Sequence, residues 1–194
     1  ISNDKYAGLS RAVSKIYGEG TKTLGSTAFA KKLDAKAIHI SANAGSETFV
    51  FELSCLKEHL DDGVKALTEL LNDPNVSEES LEQVKTVTLG EIERKSTDFD
   101  YVAGTTLKAL LFKNTVLANP PIGTKESISA LKLKDIKDFI DEHIVTSRAI
   151  CVVGGDISSE EAAAKVKKIL TDLNTGETAE LSHFTVNPKV QEEI

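Results

Sequence analysis

The chain has 194 residues, of which 40% are hydrophobic and 27% are charged, with 12 glycines and 4 prolines. This is ordinary globular composition, so it excludes disordered, collagen-like and disulfide-scaffold proteins. The formal net charge of −7 leaves no basic surplus to neutralise phosphates, which argues against nucleic acid as a partner. Because the sequence contains no methionine, we expect it to be a processed or truncated part of a longer protein.

The first third of the chain predicts two helices and a β-hairpin. Apolar side chains at helical spacing predict a helix over residues 8–17, and residues 26–33 predict a short second helix with Ser26 as its N-cap. Residues 37–44 and 48–55 predict two strands joined by a tight turn. The period of two places four apolar side chains on one face of the second strand, namely Phe49, Phe51, Leu53 and Cys55.

The middle of the chain predicts three helices. The first spans residues 57–72, and the second runs from Ser77, its expected N-cap, to about residue 95. The third spans residues 98–112, and its spacing predicts an inward face made of Val102, Thr106, Ala109 and Leu110.

The last third predicts short helices over residues 126–131 and 134–143, and then a buried strand over residues 148–157. Ser158 and Glu161 predict a capping box for a last helix that buries Ala162, Val166, Ile169 and Leu173. These elements predict an α+β fold, a mostly antiparallel sheet with helices packed on it. Residues 1–173 are expected to form one domain, and residues 174–194 a linker toward a second one.

Motifs point to no active site on their own. The four histidines include no pair at helical i, i+4 spacing that could grip a zinc ion, and no nucleophile elbow, phosphate loop or paired-cysteine motif is present. Cys55 and Cys151 lie in apolar runs and are expected to be buried free thiols. No apolar run is long enough to span a membrane. The compartment stays open between the bacterial periplasm, the cytoplasm and an organelle matrix.

Four segments, in this order along the chain, resemble the M16 (inverzincin) metallopeptidases, the family of insulin-degrading enzyme and the mitochondrial processing peptidase. They read GLSRAVSKIYGEGT, FELSCLKEHLDDGVKALTELLNDPNVSEESLEQVKTVTLGEIE, PPIGTKESISALKLKDIKDFIDEHI and RAICVVGGDIS. The resemblance implies an M16 peptidase-like half-domain, with the family's first strand lying before Ile1 and a second half-domain after Ile194.

The resemblance also implies where a zinc site would lie. Active members bind zinc through H-x-x-E-H and a later glutamate, and the glutamate inside the motif accepts a proton from water. In this sequence the three motif positions fall on Arg11, Ser14 and Lys15, and the later ligand falls on Glu91. A further family glutamate falls on Val84. The resemblance therefore predicts no metal and no catalytic residue here, with Glu91 alone retained at a ligand position.

Two arrangements of these side chains are open from the sequence. In the first hypothesis, Lys15 or Arg11 pairs with Glu91 and an ion pair replaces the metal. In the second, these side chains point to solvent at the domain edge.

The resemblance implies three functions. One is a non-catalytic homologue that binds peptides or helps to form a peptide chamber, pairing with a second M16 half-domain and a zinc-bearing M16 subunit. Another is a structural subunit like the respiratory-complex core proteins. The third is a fragment of a metalloendopeptidase, whose chemistry would lie outside this chain.

Overall fold

The computed structural model describes residues 6–45, 47–113 and 115–178. The helices are α1 (Leu9–Gly18), α2 (Gly25–Asp34), α3 (Leu60–Asn72), α4 (Glu78–Lys95), α5 (Phe99–Leu111), α6 (Lys125–Ala130), α7 (Leu133–His143) and α8 (Ser159–Leu170). The strands β1 (His39–Ala44) and β2 (Phe49–Ser54) pair antiparallel, with His39 opposite Ser54. The α+β fold predicted from the sequence is confirmed, with a sheet of two strands in the described part of the chain.

One hydrophobic core lies between the hairpin and the helices. Its buried side chains include Val13, Ile16, Tyr17, Phe29, Leu70, Leu81, Val84, Ile128, Leu131 and Ile136. Full burial of a Val, Leu or Ile side chain contributes about 1.5 to 3 kcal/mol, so this core is the main source of stability. Helices α1, α4, α6 and α7 all contribute to it, and residues 125–143 therefore pack with the beginning of the chain.

The hairpin meets the core through the face that the period of two predicts. Side chains of β2 alternate between half-buried and exposed along the strand. The ring of Tyr17 on α1 makes edge contacts with Phe49 and Phe51, at centroid distances of 6.0 and 4.7 Å. This aromatic contact fixes α1 against the sheet, and α1 also contacts α4 and α7.

The N-terminus of α4 is capped as predicted. The side chain of Ser77 accepts a hydrogen bond from the amide of Ser80, and the Ser80 hydroxyl accepts one from the amide of Ser77. The acidic residues Glu78 and Glu79 occupy the first turn, where the helix dipole favours negative charge.

Across the described residues, no helix combines the length and the apolar character needed to cross a bilayer.

The predicted buried strand over residues 148–157 is wrong. Residues 149–154 lie outside any strand, and Ile150 and Val152 are both 91% exposed. Cys151 is exposed, contrary to the prediction, whereas Cys55 is half-buried. A β-branched run becomes a buried strand only when a neighbour supplies hydrogen-bond partners, and within the described residues none does so.

The predicted inward face of α5 is also wrong. No residue of α5 is buried, and Val102 and Leu110 are 41% and 46% exposed. Helical periodicity shows that a face exists, but only a packed neighbour buries it.

Two smaller predictions differ from the structure. Helix α2 begins at Gly25 after Leu24, so Ser26 lies inside the first turn and is not the N-cap. The hydroxyl of Ser158 accepts a hydrogen bond from the amide of Glu161, which is one of the two bonds of the predicted capping box, and no residue of α8 is fully buried. Three of the four positions predicted to be buried lie on α8 and the fourth follows it, and all four are half-buried: Ala162, Val166, Ile169 and Leu173.

The predicted linker lies largely outside the described residues. Its first residues lie beside the 3-10 turn Thr146–Arg148. The amides of Thr146 and Ser147 donate hydrogen bonds to the carbonyls of Asn174 and Thr175. The boundary between a domain at 1–173 and a linker at 174–194 stays a prediction.

Candidate functional site

Helices α1 and α4 pack side by side, and this contact brings the candidate site together. Val13, Ile16 and Tyr17 turn one side of α1 into the core. Arg11 and Lys15, four residues apart, occupy neighbouring positions on another side of the same helix. The sequence therefore builds α1 with one apolar face and one cationic face.

Both cations contact Glu91 on α4. Arg11 donates from Nη2 to Glu91 Oε1 at 3.1 Å, and Lys15 donates from Nζ to Glu91 Oε2 at 2.9 Å. Lys15 also donates to the hydroxyl of Thr88 at 3.1 Å. We call Arg11, Lys15, Thr88 and Glu91 the ion cluster. Of the two arrangements open from the sequence, the structure shows the ion pair.

Burial and charge compete at Glu91. Its side chain is 16% exposed, against 24% for Lys15 and 42% for Arg11. Burial raises the pKa of Glu91, but the hydrogen bond from Lys15 and the charges of Lys15, Arg11 and Lys95 outweigh burial. The net pKa lies below the ordinary value, so Glu91 is a carboxylate at neutral pH.

The other two positions singled out by the resemblance, Ser14 and Val84, are buried. Ser14 is buried, and its hydroxyl donates to the carbonyl of Arg11 at 2.9 Å, which satisfies it within α1. Val84 is 3% exposed and belongs to the hydrophobic core. A glutamate at position 84 would therefore have to be accommodated among apolar side chains.

Three further residues of this region were missed by reasoning from the sequence. Thr88 is 2% exposed and accepts from Lys15, and Lys95 Nζ lies 4.8 Å from the centroid of the Tyr101 ring. Thr88 and Lys95 lie at helical spacing from Glu91 on α4, and that spacing could have identified both of them. Tyr101 lies on α5, and the turn between α4 and α5 brings its ring to Lys95.

These residues do not fit a zinc ion. A zinc site needs lone pairs from neutral imidazole, thiolate or carboxylate, whereas guanidinium and ammonium groups offer donors only. Arg11 and Lys15 direct two positive charges at the carboxylate that the metal would need. In residues 6–45, 47–113 and 115–178, no group of three or more His, Cys, Asp or Glu residues could hold a metal ion.

Two family models match the chain. Residues 2–125 match the model described as Insulinase (Peptidase family M16), and residues 130–194 match the one described as Peptidase M16 inactive domain. A protein called non-peptidase homolog YmxG, from Helicobacter pylori strain ATCC 700392 / 26695, is 36% identical over 194 residues. That match covers 100% of this chain and 45% of the relative.

Solved structures show the same fold. The peptidase M16 inactive domain from Pseudomonas fluorescens superposes with a TM-score of 0.90 at 20% identity, covering 96% of this chain and 46% of that one. The first half of the periplasmic protease PqqL from Escherichia coli gives a TM-score of 0.80 at 19% identity, covering 97% and 42%. The chain thus spans less than half the length of these relatives.

Proposed function

Because the chain belongs to the insulinase family of peptidases, family M16, we propose that it is part of a non-catalytic member of that family. In this proposal the ion cluster takes the position of the catalytic zinc. The single observation that carries it is the double contact of Arg11 and Lys15 with Glu91.

The physical argument rests on charge. The two unit positive charges of Arg11 and Lys15 equal the charge of a zinc dication, so the carboxylate of Glu91 has its counter-charge without a metal. A dication placed beside Arg11 and Lys15 would be repelled at short range. Ser14 carries a hydroxyl that is bonded to its own helix, so it supplies no general base at this position.

We propose further that the protein pairs with a zinc-bearing M16 subunit and lines a chamber that binds peptides. Two observations support pairing. The chain matches about half of a longer relative, and α5 leaves Phe99, Val102 and Leu111 exposed on one helix. Exposed apolar surface of this kind is typical of a protein interface.

The test uses the full-length protein, purified at neutral pH. We expect metal analysis to find no stoichiometric zinc and peptidase assays on unstructured peptides to find no chelator-sensitive cleavage. One zinc per chain, or cleavage abolished by a chelator, would contradict the proposal.

Pairing is tested by mixing the full-length protein with an M16 protein of the same organism that has an intact H-x-x-E-H. We expect one complex on size-exclusion chromatography, and peptide cleavage that depends on the partner's zinc. A complex that holds together but binds no peptide would support a structural subunit instead. Independent elution of the two proteins would contradict pairing.

A further inference from the structure

The ion cluster and the neighbouring Lys95 together carry more positive than negative charge. Glu91 supplies one negative charge, and the charges of Lys15, Arg11 and Lys95 all act on it to lower its pKa. Three cations around one carboxylate leave a local excess of positive charge on a chain whose formal net charge is −7. We call Arg11, Lys15 and Lys95 the cationic rim.

The guanidinium of Arg11 is only partly used. It presents five N–H donors in a planar fork, and its one hydrogen bond within the described residues runs from Nη2 to Glu91. The side chain is 42% exposed, more than either Glu91 or Lys15, so the remaining donors can be reached from solvent. A planar fork of this kind matches a carboxylate in a bidentate contact.

An aromatic ring lies beside the cationic rim. Lys95 sits 4.8 Å from the centroid of Tyr101, which is half-buried. Burial raises the pKa of Tyr101, the charge of Arg11 lowers it and that of Glu91 raises it, so the phenol lies within electrostatic reach of the ion cluster. Tyr101 therefore belongs to the surroundings of the cationic rim, through its contact with Lys95.

We propose that the cationic rim binds the carboxylate of an extended peptide, either an acidic side chain or the C-terminal carboxylate. This inference rests on the proposed function, because it names the chemistry of the peptide that such a subunit would bind. A single carboxylate on an otherwise neutral peptide is attracted by the rim, whereas a polyanion is repelled by the acidic remainder of the surface.

The test measures fluorescence anisotropy of short labelled peptides with the full-length protein. One peptide carries glutamate with an amidated terminus, a second carries glutamine with a free terminus, and a third carries glutamine with an amidated terminus. We expect the first or second to bind more tightly than the third, and this comparison separates a side-chain source from a terminal one. Raising salt from about 0.05 M to about 0.5 M should remove most of the difference.

Variants assign the effect to the rim. We expect R11Q to weaken binding of the favoured peptide about tenfold or more, and R11K to weaken it less, because the charge stays and the fork is lost. E91Q should tighten binding, since it removes the competing carboxylate. K134Q is the matched control, because Lys134 is an exposed cation paired with Asp138 on α7. Circular dichroism checks that each variant is folded.

Three results would overturn the inference. Equal binding of all three peptides would do so while leaving a peptide-binding function in place. If R11Q and K134Q are both folded and change the peptide affinity equally, the carboxylate does not bind at the cationic rim. Absence of binding to every peptide would overturn the inference together with the peptide-binding part of the proposed function.

Discussion

At the scale of single residues, Glu91 is the residue on which the interpretation depends. A carboxylate that is 16% exposed is stable only with partners, and Arg11 and Lys15 provide them. Replacing Glu91 by Gln would leave two cations facing each other across a weakly accepting amide.

We therefore expect E91Q to destabilise the fold by about 1 to 2 kcal/mol at neutral pH, measured by urea unfolding. Glu91 binds its proton more weakly in the folded chain than in the unfolded chain, since its pKa lies below the ordinary 4.5. The contribution of ionised Glu91 to the free energy of unfolding is therefore complete above the unfolded-state pKa. It is lost as the pH falls through the lower pKa of the folded state.

The difference between E91Q and the unchanged chain should thus shrink in acid. E93Q is the matched control, because Glu93 lies on the same helix with its side chain 68% exposed, and we expect little change from it. An E91Q variant as stable as E93Q at neutral pH would show that the ion cluster contributes nothing to the fold.

A second prediction at this scale concerns the register of the zinc motif. Joint replacement of Arg11 by His, Ser14 by Glu and Lys15 by His should create a zinc site with Glu91, because these groups supply the missing lone pairs. Metal analysis of the triple variant should then find about one zinc per chain. The same variant with Glu91→Gln should bind zinc much more weakly. A folded triple variant without zinc would show that positions 11, 15 and 91 do not converge.

At the scale of elements, the position of α1 depends on a close backbone contact at its N-terminus. Gly8, the N-cap of α1, has a φ of 81°, and a Cβ there would lie 2.6 Å from the carbonyl oxygen of Ile122. Gly123 has a φ of 88°, and a Cβ there would lie 2.7 Å from the carbonyl oxygen of Ala7. The hydroxyl of Ser127 donates to that same oxygen of Ala7 at 2.9 Å.

We therefore expect Gly123→Ala to destabilise the chain by about 1 to 3 kcal/mol, because it adds both backbone strain and a clash with backbone. Gly104→Ala is the control, since a Cβ at Gly104 on α5 meets nothing within 4 Å. That change should stabilise by about 0.5 to 1 kcal/mol, as alanine suits a helix interior. Thermal unfolding of both variants measures the contrast, and equal melting temperatures would argue against the contact between residues 7–8 and 122–123.

At the scale of the whole molecule, the exposed run at residues 149–154 and the uncovered face of α5 are the two largest departures from the sequence-based expectation. Both are apolar, and neither is covered by another described element. Apolar surface left in water favours association with a further protein surface.

The reaction rates of the thiols of Cys55 and Cys151 test how exposed their two segments are. In the isolated chain we expect Cys151 to react quickly with a thiol reagent, because it is exposed. Cys55 should react slowly, because it is half-buried and burial raises the pKa of its thiol. Labelling of single-cysteine variants, each with the other cysteine replaced by Ser, measures the two rates. Faster labelling of Cys55 would contradict the described arrangement of both segments.

Most helices and the hairpin could be predicted from the sequence, because periodicity, capping residues and turn residues are local signals. The helix from Ser77 to residue 95 and the alternation of β2 follow from such signals alone. The loss of the imidazole positions at Arg11 and Lys15 is instead what the resemblance to the M16 family implies. The tertiary structure decided what each face meets. It brought Glu91 to both cations, placed Tyr101 beside Lys95, and left the run at 149–154 without a strand partner. The physical reason is that a pattern states which face of a segment is apolar or charged, whereas burial and ion pairing require a second surface that local sequence does not specify.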